Sequence, residues 1–248
     1  MIIVISIFVI VFYFWKYRAD KSSLYVYIIS GLWNCFIELS AFIFAVRSVD
    51  ETLLFGFLRV GFPYVQLIMG FYEGGVQCLV AYHLIRAVMR RDKSSLIFSS
   101  EYLVITNSII GLIDVFNIDA SSTTISITRR EVFSLGSILL LIISFLISFG
   151  YFFLKKSITK REKKSFLLWY LFIMVVYFPI FLISHISMNR FIEIQLNGSY
   201  IIAPLFDQIA VLYGYGLGFE AAGFFLPIYV ILHALNVIKF DKQQKKSD

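Results

Sequence analysis

The feature that most constrains this chain is a series of apolar stretches, each near the length of a bilayer crossing, separated by short polar segments. A helix needs about 20 mostly apolar residues to span the hydrocarbon core. Seven stretches qualify: Met1–Trp15, Leu24–Val46, Phe62–Met89, Tyr102–Ile118, Val132–Leu154, Phe166–Ser187 and one inside Tyr200–Ile238. The run from Leu53 to Met89 is too short for two spans and a turn, so it reads as one tilted helix with an outer lead-in. The last run reads the same way, with irregular backbone expected at Gly214, Gly216 and Gly218. Fifteen residues precede Lys16, so the first span is short: either a free amino terminus at the outer surface or a span truncated upstream. Composition agrees, with 59% hydrophobic and 15% charged residues, against about 45–50% and about 25% in soluble domains. So much apolar surface needs a bilayer around it. The expected fold is all-α: an integral membrane protein with a seven-transmembrane helix bundle over residues 1–238 and a short basic tail, 239–248.

Charge fixes the expected orientation. Lys16, Arg18 and Lys21 follow span one, Arg86, Arg90, Arg91 and Lys93 follow span three, six cations fill Lys155–Lys164, and Lys239, Lys242, Lys245 and Lys246 lie in the tail. Those seventeen face five on the other side, Arg47, Arg59, Arg129, Arg130 and Arg190. Cytoplasmic loops carry the Lys/Arg excess, which puts the amino terminus outside and the carboxyl terminus in the cytoplasm. The net charge of +6 is thereby spent on topology, and no nucleic-acid partner is implied. The chain's one N-x-[ST] triplet, Asn197-Gly198-Ser199, falls in an outer loop, where a glycosylation acceptor has to lie. No internal repeat is apparent, which disfavours a repeat-built transporter.

Enzyme signatures are missing: there is no H-E-x-x-H, G-x-S-x-G, phosphate-binding loop or C-x-x-C. No catalytic residue, metal site or cofactor is expected, because His83, His185 and His233 sit on different spans, His83 and His233 near the inner face and His185 near the outer. Carboxylates at membrane depth are more informative, since burying them is costly and they usually face the bundle interior. They are Glu38, Glu73, Asp114 and Glu220, with Asp207 and Arg59 nearer the outer lip. Glu220 stands seven residues before Pro227, two α-turns away and on the same side, toward an outer cavity. Such a set suits a pocket for an amine-bearing ligand; it equally suits a small polytopic transporter or channel. Pro179 and Pro227 lie within spans six and seven, where proline kinks a membrane helix.

These features together resemble a G-protein-coupled receptor, and in detail the nematode serpentine chemoreceptors. The similarity rests on Ser22-Ser23-Leu24-Tyr25 opening span two and Arg47 closing it. The run Arg161-Glu162-Lys163-Lys164-Ser165-Phe166-Leu167-Leu168 entering span six is similar to the class-gamma branch, as is Pro227-Ile228-Tyr229-Val230 before a short tail. The resemblance implies a plasma-membrane receptor of sensory cells that binds a small molecule and signals to a heterotrimeric G protein. It implies ligand contacts from Glu220, Glu73 and Glu38, and a switch at Pro179, Pro227 and Tyr229. His83 and Arg86 fall where such receptors end span three, so with Arg161, Lys163 and Lys164 they are expected to face the G protein.

Overall fold

A computed structural model describes residues 11, 13–16, 20–43, 52–54, 58–116, 133–187 and 190–238. Most of the expected first span, Arg47, Arg129, Arg130 and the tail 239–248 lie outside the described residues. Helix α1 is Lys21–Ile43. After a two-stranded hairpin, β1 (Thr52–Leu54) with β2 (Leu58–Val60), comes α2 (Tyr64–Met69), which runs through π-helical turns at Gly70–Val76 into α3 (Gln77–Arg90). Then follow α4 (Lys93–Phe116), α5 (Leu135–Leu154) and α6 (Lys160–Ile186). A second hairpin pairs β3 (Glu193–Leu196) with β4 (Ser199–Ile202), Gln195 opposite Tyr200. The last helical rod comprises α7 (Leu205–Ile209), π-helical Ala210–Ala221, α8 (Ala222–Phe224) and α9 (Leu226–Ala234).

Among the described residues, four helices are long and apolar enough to cross a membrane: Lys21–Ile43, Leu135–Leu154, Lys160–Ile186 and Leu205–Ala234. They match four of the apolar stretches to within a few residues at most ends. Helix α4 begins at Lys93, nine residues before the expected Tyr102, because Asp92 caps it and starts the helix in polar sequence. Helix α5 is the least enclosed of the four; Leu139, Ile142, Ile143, Leu146 and Ile147 stand exposed along it. In water such a face would be untenable, and in a bilayer it meets lipid tails at no cost.

Local sequence explains the helix starts. Asp20 accepts from the Ser23 amide at 2.8 Å and Asp92 from the Ser95 amide at 3.2 Å, each at the mouth of its helix. Thr159 and Glu162 form a reciprocal capping box at the start of α6, two orphan amides satisfied at once.

Packing is closest where α1 meets the π-helical Gly70–Val76. A Cβ on Gly70 would stand 2.4 Å from Cys35 Sγ, and one on Gly74 would stand 2.4 Å from Asn34 Cβ and 2.5 Å from the Ser30 carbonyl oxygen. Small residues spaced four apart let membrane helices approach to backbone contact. Gly74→Ala is therefore expected to cost about 2 kcal/mol, the scale of overpacking against a backbone that cannot yield. Gly214→Ala, with nothing within 4 Å, is expected to leave the thermal midpoint of the purified protein in place.

The main core lies between α3, α5, α6 and the last rod, with a second cluster where α3 meets α4. Trp169, Tyr229, Phe152 and Phe166 are fully buried, with Phe152 stacked on Phe166 at 4.4 Å between ring centroids and Trp169 tilted against Tyr229 at 5.2 Å.

Candidate functional site

The last rod is interrupted in the middle. Pro227 has no N–H to offer the Gly223 carbonyl, which takes the Phe225 amide instead and tightens the chain there. The next two carbonyls accept from other helices: Phe224 from Trp33 Nε1 of α1 and Phe225 from Trp169 Nε1 of α6, both at 2.9 Å. One turn further, the Tyr229 hydroxyl donates to Ser165 Oγ at 2.6 Å. Membrane helices keep such breaks only where neighbours satisfy the freed backbone. Helix α6, by contrast, stays continuous through Pro179.

The two π-helical segments are held in a matching way. The Tyr177 hydroxyl donates to the Glu73 carbonyl at 3.0 Å, and that of Tyr170 to the Gly218 carbonyl. Both phenols come from α6. Each wide segment carries one of the expected carboxylates, Glu73 half-buried and Glu220 buried. Glu38 is buried on α1. Because the chain changes from π turns to α8 and then breaks at Phe225, the seven residues between Glu220 and Pro227 do not amount to two regular turns. At one end of the bundle His185 bridges α6 to the last rod, with Nδ1 3.1 Å from the Tyr213 hydroxyl and Nε2 3.1 Å from Gln208 Oε1. Asn197 sits nearby in sequence on the exposed β3–β4 turn, at φ 51 beside Gly198 at φ 81.

The opposite end carries a polar layer. There α1, α4 and α6 begin and α3 and α9 end. Arg86 of α3 is paired with two aspartates, Asp20 before α1 and Asp92 before α4, the latter through Nη2 at 2.9 Å. His83, one turn earlier, contacts the Tyr13 hydroxyl and lies 3.2 Å from Ser23 Oγ through Nε2 and 2.8 Å from Ser95 Oγ through Nδ1. One arginine and one histidine thus each reach both neighbouring helices at equivalent points. Burial alone would raise the Asp20 and Asp92 carboxyls; hydrogen bonds from Ser23 and Ser95 and the Arg86 charge outweigh it and hold both below the ordinary carboxylate value.

On the other side of the layer, Arg161 Nη2 donates to the Met89 carbonyl at 2.8 Å. His233 Nε2 lies 3.0 Å from Glu162 and its Nδ1 3.1 Å from the Tyr151 hydroxyl. Lys163 lies over the Phe153 ring at 5.5 Å, and Lys164 is exposed. Of the five residues expected at the inner face, His83, Arg86 and Arg161 are thus engaged within the bundle. Among the described residues no group of three or more His, Cys, Asp and Glu side chains is placed to hold a metal ion.

Sequence reasoning missed Asp20, Asp92, Ser23 and Ser95 as a set, although a signal was present. Residues 20–24 and 92–96 are the same pentapeptide, Asp-Lys-Ser-Ser-Leu, a short repeat that corrects the reading of a repeat-free chain. The tryptophan contacts had no comparable signal. No protein-family model matches the chain, and neither a curated protein nor a solved structure matches it.

Proposed function

We propose that the chain is a seven-span receptor of the plasma membrane, amino terminus outside, that binds a small molecule in its outer half and signals to a heterotrimeric G protein at its inner face. The observation that carries this reading is the break in the last rod, tied through Trp33 and Trp169 to two other helices. It sits between the carboxylate-bearing π-helical segments and the polar layer of Arg86 and His83. An interior joint stapled from the side suits a device that changes packing in response to a ligand, because packed interfaces switch between discrete arrangements. Support for the orientation comes from the polar layer, which gathers Lys160, Arg161, Arg90 and Arg91 at one end, as the positive-inside rule requires. In this reading Glu220, Glu73 and Glu38 line the ligand route, Pro179, Pro227 and Tyr229 belong to the switch, and Arg161, Lys163 and Lys164 meet the G protein. Asn197 is then open to glycosylation.

The test is expression in a reporter cell with a ligand panel, together with glycosidase treatment of the surface protein. A ligand-dependent response and a mobility shift lost in Asn197→Gln are expected. An Asn197 reached only from the cytoplasm would sink the orientation and the receptor reading with it. A second reading, a transporter or channel using the buried Glu38 and Glu220, is favoured if vesicles carrying the protein show a flux that Glu220→Gln removes.

A further inference from the structure

The outward side of α6 carries a regular stripe. Leu167, Leu171, Val175, Phe178 and Leu182 stand 37–46% exposed, at steps of three and four residues that keep one face of a helix in line. In a bilayer such a face meets lipid tails. Carried back toward the start of α6, the same steps pass through Lys164 and Lys160, both exposed. Lys163 stands beside them with its Nζ 5.5 Å from the centroid of the Phe153 ring, over the seam between α5 and α6. Lys155 Nζ lies 4.9 Å from the Tyr151 ring centroid at the end of α5, and Lys156 is exposed in the turn that follows.

Little within the chain neutralises these cations. The loop Lys155–Lys164 holds six of them and one acid, Glu162. Glu162 is turned inward, one oxygen on His233 and the other on the Thr159 amide and hydroxyl. At the same end of the bundle Lys16 has Glu101 at 3.3 Å and Arg86 has two aspartates. Among the described residues no ion pair is formed by Lys156, Lys160 or Lys164. Keeping a loop in the cytoplasm explains an excess of cations, but that role is indifferent to where around a helix they stand. Here two lysines continue the lipid-facing stripe. A rise of about 1.5 Å per residue puts Lys164 about 5 Å and Lys160 about 10 Å beyond Leu167, at and just past the depth of a headgroup layer.

We propose that the inner seam of α5 and α6 binds a phosphoinositide, a membrane lipid whose headgroup carries phosphate monoesters, with its phosphates on Lys160, Lys163 and Lys164 and its acyl chains along Leu167 and Leu171. Charge density favours this lipid over a serine phospholipid. Three ammonium groups within five residues of one helix match several negative charges held in one place, whereas phosphatidylserine brings one net charge and an ammonium of its own. Basic sites at the cytoplasmic ends of membrane helices are where phosphoinositide headgroups are held. The inference goes beyond the receptor reading and rests on it only for the leaflet that supplies the lipid. A headgroup on this side lies beside the bundle, so it borders the surface given to the G protein without filling it.

The test places the purified full chain in phosphatidylcholine nanodiscs and follows its thermal midpoint as phosphatidylinositol bisphosphate is added in steps. A second series adds phosphatidylserine to the same total charge, and a third adds soluble inositol trisphosphate. A saturable rise is expected in the first series alone. Lys160→Gln combined with Lys164→Gln is expected to raise the half-saturating lipid fraction about thirtyfold, the joint worth of two juxtamembrane lysines. If that pair fails to fold in phosphatidylcholine alone, Lys164→Gln by itself decides, with about a fivefold rise expected. Lys93→Gln removes an exposed charge from the start of α4 at the same end and is expected to leave the saturation unchanged. No saturable rise, an equal rise with phosphatidylserine, a rise with inositol trisphosphate, or unchanged saturation in the Gln variants overturns the site. So does an equal loss in Lys93→Gln. Lipid binding by a chain whose Asn197 is reached only from the cytoplasm sinks the receptor reading and leaves the site standing, in the opposite leaflet. A ligand response from protein that shows no lipid preference does the reverse.

Discussion

Arg86→Met is expected to lower the stability of the purified protein by about 2 kcal/mol. The substitution keeps an unbranched apolar stem, shorter than that of arginine, and removes the charge between Asp20 and Asp92. Breaking a fully buried pair by removing one partner costs about 3–5 kcal/mol; the Asp20 side chain is 45% exposed, so solvent screening reduces the figure. Asp20→Asn and Asp92→Asn separately are expected to cost less than half as much each, because Arg86 retains the other aspartate. In the Arg86→Met background both are expected to be neutral or stabilising, and a double-mutant cycle on thermal midpoints measures this coupling. Additive effects throughout would show that the pairing contributes nothing.

The same clamp sets an acid limb. Asp20 and Asp92 have carboxyls held below their ordinary value, so their contribution is complete above the unfolded-state carboxylate pKa of about 3.9. It is lost as pH falls through the lower, folded-state values. Wild-type protein is expected to lose stability below about pH 4 more steeply than Arg86→Met, whose clamp is already gone. Parallel acid limbs for the two proteins would count against the clamp.

The largest effect is expected at Trp169. It is fully buried, packs on Tyr229 and donates to the Phe225 carbonyl, so Trp169→Ala combines a cavity with an orphaned acceptor and is expected to cost about 4 kcal/mol. Trp169→Phe keeps most of the volume and isolates the hydrogen bond, at about 1–2 kcal/mol. Trp33→Phe, at a half-buried position on α1, is expected to cost less. Because the two indoles serve adjacent carbonyls of one break, the double Phe variant is expected to lose more than the sum of the singles. Strict additivity would mean that the two carbonyls are satisfied independently.

Helix content followed from apolar run length, which is why the ends of α1 and α5 and the far end of α6 fall close to where sequence places them. Helix α6 starts six residues early, in the polar run opened by the Thr159–Glu162 capping box. Where polar residues carry the helix, the pattern misleads: Ser94, Ser95, Ser99 and Glu101 disguise the first turns of α4, and only the Asp92 cap reveals them. Glycine spacing pointed to irregular backbone at residues 214–218, and the structure puts wide turns there. The equivalent role of Gly70, Gly74 and Gly75 was hidden inside a long apolar run. His83 and Arg86 were legible as polar residues closing a span, but their partners lie 60 and more residues away in sequence at Ser23 and Asp20. Only the duplicated pentapeptide hinted that two helices share them. The indole contacts depend wholly on how helices are arranged around one another, and no local pattern encodes that.

The break in the last rod also has a mechanical meaning. An unbroken helix resists bending through its own hydrogen-bond ladder, so its stiffness travels with it wherever it is placed. Here part of the bonding at the joint is supplied by an indole from α1 and another from α6. The bending stiffness of the rod is therefore set in part by where those two helices stand: a sideways shift of either slackens the joint without any change in the rod's own residues. Two of its neighbours thus act as the tuning pegs of a string they do not belong to.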